Sequence, residues 1–387
     1  MPAPLVTARA VGRLMTEIGR FALDRMLPGG AVPSRPSEVT AAWLGGVMGL
    51  PEGALRAIRI VSEDSGTAAR ARLALDVAPG ADAPSHVFLK LAPRDAQQRV
   101  MMNVVGLGAR ELLFYGAAAP DVPVRVPRCY GAAVDARRGR NLMVLEDLAP
   151  TATFRDVRDH LDREEVEALV DVLARLHAAF WESPRLRGDL EGLTPLRSSP
   201  IMSVLGSTVI RRWVAQPKHV AAELVPPALQ AKSRVLTDNV DAVDRYWNAQ
   251  PLTLTHGDPH LGNLFFEGSA PGFLDWQVAH RGAGIRDVAY AVTAALEPDL
   301  ARTLERGLLE RYVDGLAAHG VRSDLEAQWL AYRAVATEFY VAAVSTASSG
   351  ETMQAADVMR VGVERAVAAV DALDSFGALA EVAGLRP

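Results

Sequence analysis

The sequence predicts an α+β protein with two lobes, in which a small antiparallel sheet with one inserted helix precedes a larger, mainly helical region. Two observations support this fold class. Between residues 57 and 145, short apolar runs alternate with turns rich in Gly, Pro, Asp and Ser, a pattern typical of antiparallel strands. From residue 163 onward, most segments instead repeat apolar residues at the three- and four-residue spacing of an amphipathic helix.

The first 50 residues predict a helical extension packed on the small lobe. One periodic run covers about Val6 to Met26 and ends before Gly29 and Gly30, and a second helix is expected over 37–50, capped by Ser37. Arginine and glutamate side chains interrupt the first run at helical spacing, which argues against a signal peptide. Since no apolar stretch is long enough for a membrane span, we expect a cytoplasmic protein.

The small lobe is expected over 51–148, with five strands and one helix between the third and fourth strands. The predicted helix covers about Asp95 to Tyr115. The predicted strands cover 57–61, 69–77, 86–92, 126–132 and 141–145. A connector at 146–149 then leads into the large lobe.

The large lobe is expected over 149–387 and is predicted to be helical apart from one segment. Its first helix, 163–181, carries an apolar stripe that includes His177, which we interpret as a core histidine. Further helical patterns cover 200–248, 283–296, 299–319, 322–348 and 351–376. The exception is 252–277, where two short apolar runs enclose polar residues.

Composition excludes several classes of protein. Hydrophobic residues make up 49% and charged residues 22% of the 387, and the formal net charge is −5, which fits neither a disordered chain nor a nucleic-acid binder. Cys129 is the only cysteine, so an intramolecular disulfide is impossible, and we expect an inert, buried thiol. The basic run 137–140 is expected to form an exposed hairpin turn. Lysine is rare, which makes Lys90, inside an apolar strand, stand out, because a buried ammonium group needs a partner.

The most informative segment is 254–266, together with 273–277. Apolar residues flank a polar loop that holds Asp258 and, five positions later, Asn263. The next apolar run ends at Asp275. Two strand-like runs that each present one oxygen ligand predict a hairpin suited to Mg²⁺ rather than Zn²⁺. Asp258 is then left to accept a proton from a hydroxyl group.

These motifs resemble a known superfamily. His256-Gly257-Asp258-x-x-x-x-Asn263, followed by Asp275-Trp276-Gln277 and Arg286-Asp287-Val288-Ala289-Tyr290, is similar to the aminoglycoside phosphotransferase and choline kinase superfamily, a branch of the protein-kinase-like fold. Four further motifs resemble its ecdysteroid-kinase-like subgroup: Glu111-x-x-Phe114-Tyr115, Pro127-Arg128-Cys129-Tyr130, Leu145-Glu146-Asp147-Leu148 and Leu176-His177-Ala178-x-x-Trp181.

The resemblance implies roles for the residues of the large-lobe motifs. Asp258 would orient the acceptor hydroxyl and take its proton. Asn263 and Asp275 would hold Mg²⁺ against the phosphates of ATP. His256 and Asp287 would support the catalytic loop without taking part in the chemistry.

The resemblance also assigns the nucleotide contacts of the small lobe. Lys90 would contact the α- and β-phosphates, and Glu111, on the inserted helix, would hold Lys90 in place by an ion pair. The backbone from Glu146 to Leu148 would contact the adenine.

The predicted phosphate loop is the weakest correspondence. Ser65, Gly66 and Thr67 lie between the first two strands, where backbone amides next to a single glycine could cradle phosphate. The G-x-G-x-x-G loop of protein kinases is absent, and Trp276-Gln277 replaces Phe-Gly after the second aspartate. Both departures argue against a protein-kinase function.

The sequence does not identify the molecule that accepts the phosphoryl group. Segment 198–250, where the resemblance places acceptor binding, holds six basic and four acidic residues, whereas a site for a polycationic aminoglycoside should be rich in carboxylates. We therefore expect an ATP- and Mg²⁺-dependent kinase for a largely apolar or anionic alcohol, such as a sterol-like molecule, a hydroxyacyl-CoA or a polyketide. Alternatives are an aminoglycoside or macrolide phosphotransferase, a nucleotide-binding pseudokinase, a nucleotidyl transferase, and a metallohydrolase built on His256, Asp258 and His260. The oligomeric state is not predicted.

Overall fold

The computed structural model describes residues 3–27, 29–65, 68–206, 209, 211–351 and 354–385. The chain forms two compact units. The first comprises 1–119, 126–151 and 199–204, and the second comprises 120–125, 152–198 and 205–387. The first contains an antiparallel sheet and the second is mainly helical, so the predicted α+β class is confirmed.

The sheet of the first unit has five strands in the order β1-β2-β3-β5-β4, with every neighbouring pair antiparallel. The strands are β1 (Leu55–Ser65), β2 (Ala69–Val77), β3 (His86–Leu91), β4 (Cys129–Asp135) and β5 (Arg140–Glu146). β3 lies between β2 and β5, and Lys90 pairs with Arg70 on one side and Met143 on the other. Alternation along β2 buries every second side chain, as expected for a sheet covered on one face.

The helix predicted over 95–115 is two helices. α3 (Ala96–Val105) begins at Asp95, whose side chain accepts a hydrogen bond from the backbone N–H of Gln98. It ends at Gly106, whose φ of 82° is readily adopted only by glycine, and α4 (Leu107–Leu113) begins directly afterwards. The prediction missed this break because the apolar period continues across it.

The N-terminal extension forms α1 (Ala3–Met26) and α2 (Ala41–Val47). The predicted cap of the second helix was wrong. Ser37 lies in a 3₁₀ turn, Pro36–Glu38, and Thr40 caps α2 by accepting from the backbone N–H of Trp43 at 3.2 Å.

The basic hairpin turn at 137–140 connects β4 to β5, as predicted, but it is not simply exposed. Arg140 is buried, and its Nε donates to Asp24 of α1 at 2.7 Å. Arg99 of α3 contacts the same carboxylate at 2.8 Å. A buried ion-pair cluster therefore holds α1 against the sheet unit, and sequence spacing alone could not reveal this long-range partner.

The second unit contains two small sheets around the chemically informative segment. β7 (Thr253–Thr255) pairs with β10 (His280–Gly282), and the other sheet has the order β6-β8-β9. Its strands are β6 (Thr153–Phe154), β8 (Leu264–Glu267) and β9 (Ala270–Phe273). The predicted hairpin is thus β8–β9, closed by the turn at 268–269.

Helices form most of the second unit. α5 (Arg163–Ala179) begins at Asp162, which forms a reciprocal capping box with Glu165. The segment predicted as helical over 200–248 is broken into short helices, because Pro217 and the pair Pro226-Pro227 cannot continue a helix. One of them, α6 (Pro200–Leu205), lies mostly in the first unit; the others are α7 (Arg211–Ala215), α8 (Val220–Leu224), α9 (Pro227–Lys232), α10 (Arg234–Asp238) and α11 (Val240–Asn248).

Longer helices complete the second unit and form its core. They are α12 (Ile285–Ala295), α13 (Pro298–Ala318), α14 (Leu325–Ser348), α15 (Ala356–Ala372) and α16 (Ser375–Val382). Tyr340, Val344 and Val363 are buried at the centre of their packing. Within the described part of the chain, no helix is both long and apolar enough to cross a membrane.

Candidate active site

Lys90 and Glu111 form a buried ion pair in the first unit. The Nζ atom of Lys90 lies 2.8 Å from Oε1 and 2.7 Å from Oε2 of Glu111. Lys90 is 7% exposed and Glu111 2% exposed. The structure brings together a lysine from the central strand β3 and a glutamate from α4 that sequence analysis predicted to pair.

The predicted adenine-binding segment has a fixed backbone. At the end of β5, Glu146 accepts a hydrogen bond from the backbone N–H of Arg128 through its side chain at 3.0 Å. Asp147 is held by Arg72, whose guanidinium reaches both carboxylate oxygens at 2.9–3.1 Å. Leu148 is buried, and its carbonyl accepts from the N–H of Thr151 at 3.1 Å. Hydrogen bonds thus anchor all three residues of the segment, and its contact with a nucleotide stays a prediction.

Only part of the predicted phosphate loop belongs to the described residues. Ser65 ends β1 and pairs with Ala69 of β2, which places the loop at the hairpin between these strands. The side chain of Ser65, and all of Gly66 and Thr67, lie outside the described residues. Their phosphate contact stays a prediction.

Asp258 and Asn263 face each other across the loop between β7 and β8. The amide nitrogen of Asn263 donates to the backbone carbonyl of Asp258 at 2.9 Å and lies 3.3 Å from its Oδ2. A 3₁₀ turn, Leu261–Asn263, brings the asparagine back toward the aspartate. Because the amide nitrogen is used in this way, the amide oxygen of Asn263 is left as an acceptor.

The β8–β9 hairpin places Asn263 and Asp275 at the same end. Leu264 pairs with Phe273, and the N–H of Leu274 donates to the carbonyl of Asn263 at 2.8 Å. Asp275 follows with a φ of 56°, a left-handed conformation that is uncommon for a residue other than glycine. Such a conformation is typical of functional positions, where surrounding structure maintains local strain.

The donor set at this end of the hairpin fits Mg²⁺. An amide oxygen and a carboxylate are hard ligands, and Mg²⁺ usually binds one or two such protein groups together with water and phosphate oxygens. Among the described residues, no cluster of three or more His, Cys, Asp or Glu side chains could hold a metal ion. The metallohydrolase alternative therefore has no support from the described part of the chain.

Two residues that sequence analysis did not assign to the site contact Asp258. The Nε2 of His260 lies 3.5 Å from Oδ2 of Asp258, and Tyr290 of α12 donates a hydrogen bond to the same side chain. Burial alone would raise the pKa of Asp258, but the His260 charge and these hydrogen bonds outweigh it and lower the pKa. The Asp258 charge in turn raises the pKa of His260 against the opposing effect of burial. Asp258 is therefore held as a carboxylate.

Asp287 organises the backbone that precedes Asp258. Its Oδ2 accepts from the N–H of His256 at 2.6 Å, and its Oδ1 accepts from the N–H of Gly257 at 2.9 Å. The carboxylate is buried, but hydrogen bonds and the charge of His177 outweigh the desolvation and lower its pKa. Asp287 thus contacts the backbone of the loop that holds Asp258, and its supporting role stays a prediction.

His256 joins the loop between β7 and β8 to the segment that carries Asp275. Its Nε2 donates to the carbonyl of Leu274 at 2.7 Å, and its Nδ1 accepts from the N–H of Asp258 at 3.3 Å. The ring packs edge-on against Trp276, with centroids 4.7 Å apart. Desolvation lowers the pKa of His256, so the ring is neutral and can make both contacts.

His177 is a core histidine, as predicted, but it also touches the site. It is fully buried on α5, where Nδ1 lies 2.9 Å from the hydroxyl of Tyr312 and Nε2 lies 3.3 Å from Asp287. The sequence signal was a histidine within an apolar stripe. That signal identified burial and could not identify partners more than a hundred positions away.

The buried Lys90–Glu111 pair, and the Asp258, Asn263 and Asp275 side chains on one loop and hairpin, are the groups that the sequence motifs predict for a kinase-like phosphotransferase. The profile of the phosphotransferase enzyme family matches residues 71–324. The chain belongs to this family, whose members transfer a phosphoryl group to a hydroxyl group. The predicted superfamily is confirmed, while the subgroup stays a prediction.

Solved structures resemble this chain at low sequence identity. A protein provisionally assigned as an aminoglycoside phosphotransferase from Ralstonia eutropha overlaps with a TM-score of 0.53 at 16% identity, over 86% of this chain and 97% of that one. A macrolide 2′-phosphotransferase from Brachybacterium faecium overlaps with a TM-score of 0.48 at 19% identity, over 84% and 96% of the two chains. At these identities the likeness concerns the fold and not the substrate. No curated protein sequence matches the chain significantly.

Proposed function

We propose that this protein transfers the γ-phosphoryl group of ATP, in a Mg²⁺-dependent reaction, to a hydroxyl group of a small molecule. One observation carries the proposal. Asp258, kept ionised by His260 and Tyr290, lies beside Asn263 on the loop that leads into the hairpin carrying Asp275. This arrangement combines an acceptor for a hydroxyl proton with two oxygen ligands for a hard cation.

Asp258 acts mainly by orientation. Its pKa is lowered, so it is a weak base, and its carboxylate accepts a hydrogen bond from the acceptor hydroxyl and takes the proton as the new bond forms. Phosphoryl transfer has a loose transition state, for which positioning and charge neutralisation matter more than strong base catalysis. Mg²⁺, when bound by Asn263 and Asp275, supplies part of that neutralisation.

The first unit supplies the nucleotide contacts in this proposal. The Lys90 ammonium group, held by Glu111, provides a compact positive charge for the α- and β-phosphates. The backbone of Glu146 to Leu148 contacts the adenine, and amides near Ser65, Gly66 and Thr67 contact the phosphates. Lys90, Asp258, Asn263 and Asp275 all have the identities that catalysis requires, which disfavours a pseudokinase.

For the acceptor, we propose a largely apolar or anionic alcohol, in the manner of the ecdysteroid-kinase-like subgroup, phosphorylated in the cytoplasm. The excess of basic over acidic residues in 198–250 supports an anionic acceptor and disfavours a polycationic one. Aminoglycosides and macrolides are the alternative acceptors, so they are compared directly with apolar and anionic alcohols.

The proposal is tested by a phosphotransfer screen with Mg·ATP over a mixed metabolite library. The library contains hydroxy acids, sterols and polyketides, together with kanamycin-type aminoglycosides and macrolides. A product heavier by one phosphoryl group, about 80 Da, supports kinase activity, whereas addition of a nucleotidyl group contradicts it. Faster transfer to an aminoglycoside than to every apolar or anionic alcohol would overturn the proposed acceptor class.

A further inference from the structure

A cavity of about 450 Å³ lies within the second unit, next to the strand pair β7–β10. This volume is in the range of small-molecule sites. The described residues that line it include no aspartate and no glutamate. They include four arginines, at positions 187, 197, 281 and 286, together with the apolar side chains of Pro195, Trp247 and Leu252.

Three of the four arginines have acidic partners that lie outside the cavity lining, and Glu338 is a partner of both Arg197, at 3.9 Å, and Arg286. Arg187 lies 3.6 Å from Glu182, and Arg197 lies 3.5 Å from Asp244. Arg281 donates to the backbone carbonyl of Leu186 at 2.6 Å. None of these partner residues lines the cavity, so its wall presents positive charge.

His280 lies in the cavity wall beside these arginines. Burial, followed by the charge of Arg286, lowers its pKa to about 4. Its Nδ1 donates to the carbonyl of Val278 at 2.9 Å, so the ring is neutral and Nε2 is an acceptor. The Arg286 guanidinium lies over the Trp247 ring, 5.7 Å from its centroid, which combines a cation with a flat apolar surface in the same wall.

The cavity adjoins the catalytic loop. Gly257, the residue before Asp258, packs so closely on His280 that a Cβ added there would lie 2.9 Å from Nδ1 of that ring. Arg286 directly precedes Asp287, which orders the backbone of the loop. Arg286 also forms an ion pair with Glu338. The charge of Glu338 helps to raise the pKa of Tyr290, which donates a hydrogen bond to Asp258. A ligand in the cavity is therefore next to the residues that position Asp258.

We infer that this cavity binds the anionic group of the acceptor, a carboxylate or a phosphate, with the apolar body of the acceptor against Trp247 and Leu252. The guanidinium groups of the arginines can donate two parallel hydrogen bonds to either a carboxylate or a phosphate. The cavity alone supports the binding of an organic anion. The identification of that anion as part of the acceptor rests on the proposed kinase function.

The test uses benzoate, a flat aromatic carboxylate, and benzamide, its neutral counterpart, in ligand-observed saturation-transfer NMR with the full chain. Benzoate should bind at least about tenfold more tightly than benzamide, the effect of one charge-assisted hydrogen bond. Arg187→Gln combined with Arg197→Gln should remove this preference. Arg187→Lys combined with Arg197→Lys should keep part of it, because the positive charges remain. Arg163→Gln is the matched control, because Arg163 is exposed to the same extent as Arg187 and also lies 3.6 Å from a glutamate, Glu167, but does not line the cavity.

Equal binding of the two probes, or benzoate binding that is unchanged in the double variant, would overturn the inference. So would displacement of benzoate by Mg·ADP, since the probe would then occupy the nucleotide site. In the metabolite screen, phosphorylation only of acceptors that are neutral or cationic before transfer would refute the acceptor assignment. Intact benzoate binding with no phosphorylated product would instead contradict the kinase function and leave the anion site in place.

Discussion

The Lys90–Glu111 pair allows a quantitative test of the first unit. Both groups are almost fully buried and lie 2.7–2.8 Å apart. Removing one partner of such a pair strands a buried charge, and the expected loss of unfolding free energy is about 3–5 kcal/mol. Replacing both partners with apolar residues removes the stranded charge. We therefore expect Lys90→Met/Glu111→Leu to be more stable than Lys90→Met or Glu111→Leu alone.

The assay is a double-mutant cycle in urea, with phosphotransfer measured alongside. All three variants should lose transfer, because each removes or misplaces the phosphate-binding ammonium group, but only the single variants should show the large loss of stability. Arg163→Gln, which breaks an exposed pair, should leave the urea midpoint nearly unchanged. Additive single effects, or wild-type transfer in Glu111→Leu, would refute the assigned role of the pair.

Three further predictions concern the second unit. Burial raises the pKa of Glu305 to about 7 from an unfolded value of 4.5, so the folded protein loses stability as the pH rises between these values. Glu305→Gln should remove this loss of unfolding free energy, which amounts to at most about 3 kcal/mol. The same pH dependence of the urea midpoint in the wild type and the variant would contradict this. In Asp287→Asn only one side-chain oxygen remains to accept from the N–H groups of His256 and Gly257, which now use one oxygen each. Turnover should therefore fall at least about tenfold while Mg·ATP still binds, and an unchanged kcat would exclude the positioning role. Asp275→Ala should abolish Mg²⁺-dependent nucleotide binding in calorimetry, and binding that stays sensitive to EDTA would exclude Asp275 as a ligand.

Sequence analysis predicted the fold where the apolar period was long and regular. The strands β2 and β3 and the helix α5 lie within a few residues of their predicted bounds. The break at Gly106 and the cap at Thr40 were missed, because an apolar period does not report local backbone conformation. The buried position of Arg140 depends on Asp24, more than a hundred residues away, and no local pattern encodes that contact.

The site was predictable to the extent that its residues are close in sequence or belong to a motif. Asp258 and Asn263 are five residues apart, and their contact follows from one tight loop. The contact of Tyr290 with Asp258 was not predicted, although the motif around Asp287 includes that tyrosine. His260 was weighed only as a metal ligand, and its pairing with Asp258 depends on how the loop folds back.

The most direct test of the central claim is phosphotransfer by Asp258→Asn, with the best acceptor from the metabolite screen. The substitution preserves the shape of the side chain and removes the charge that His260 and Tyr290 stabilise. We expect Mg·ATP to bind with nearly wild-type affinity and the phosphorylated product to be almost absent from the mass spectrum. Turnover above about a tenth of the wild-type rate would contradict the assignment of Asp258 as the residue that orients and deprotonates the acceptor.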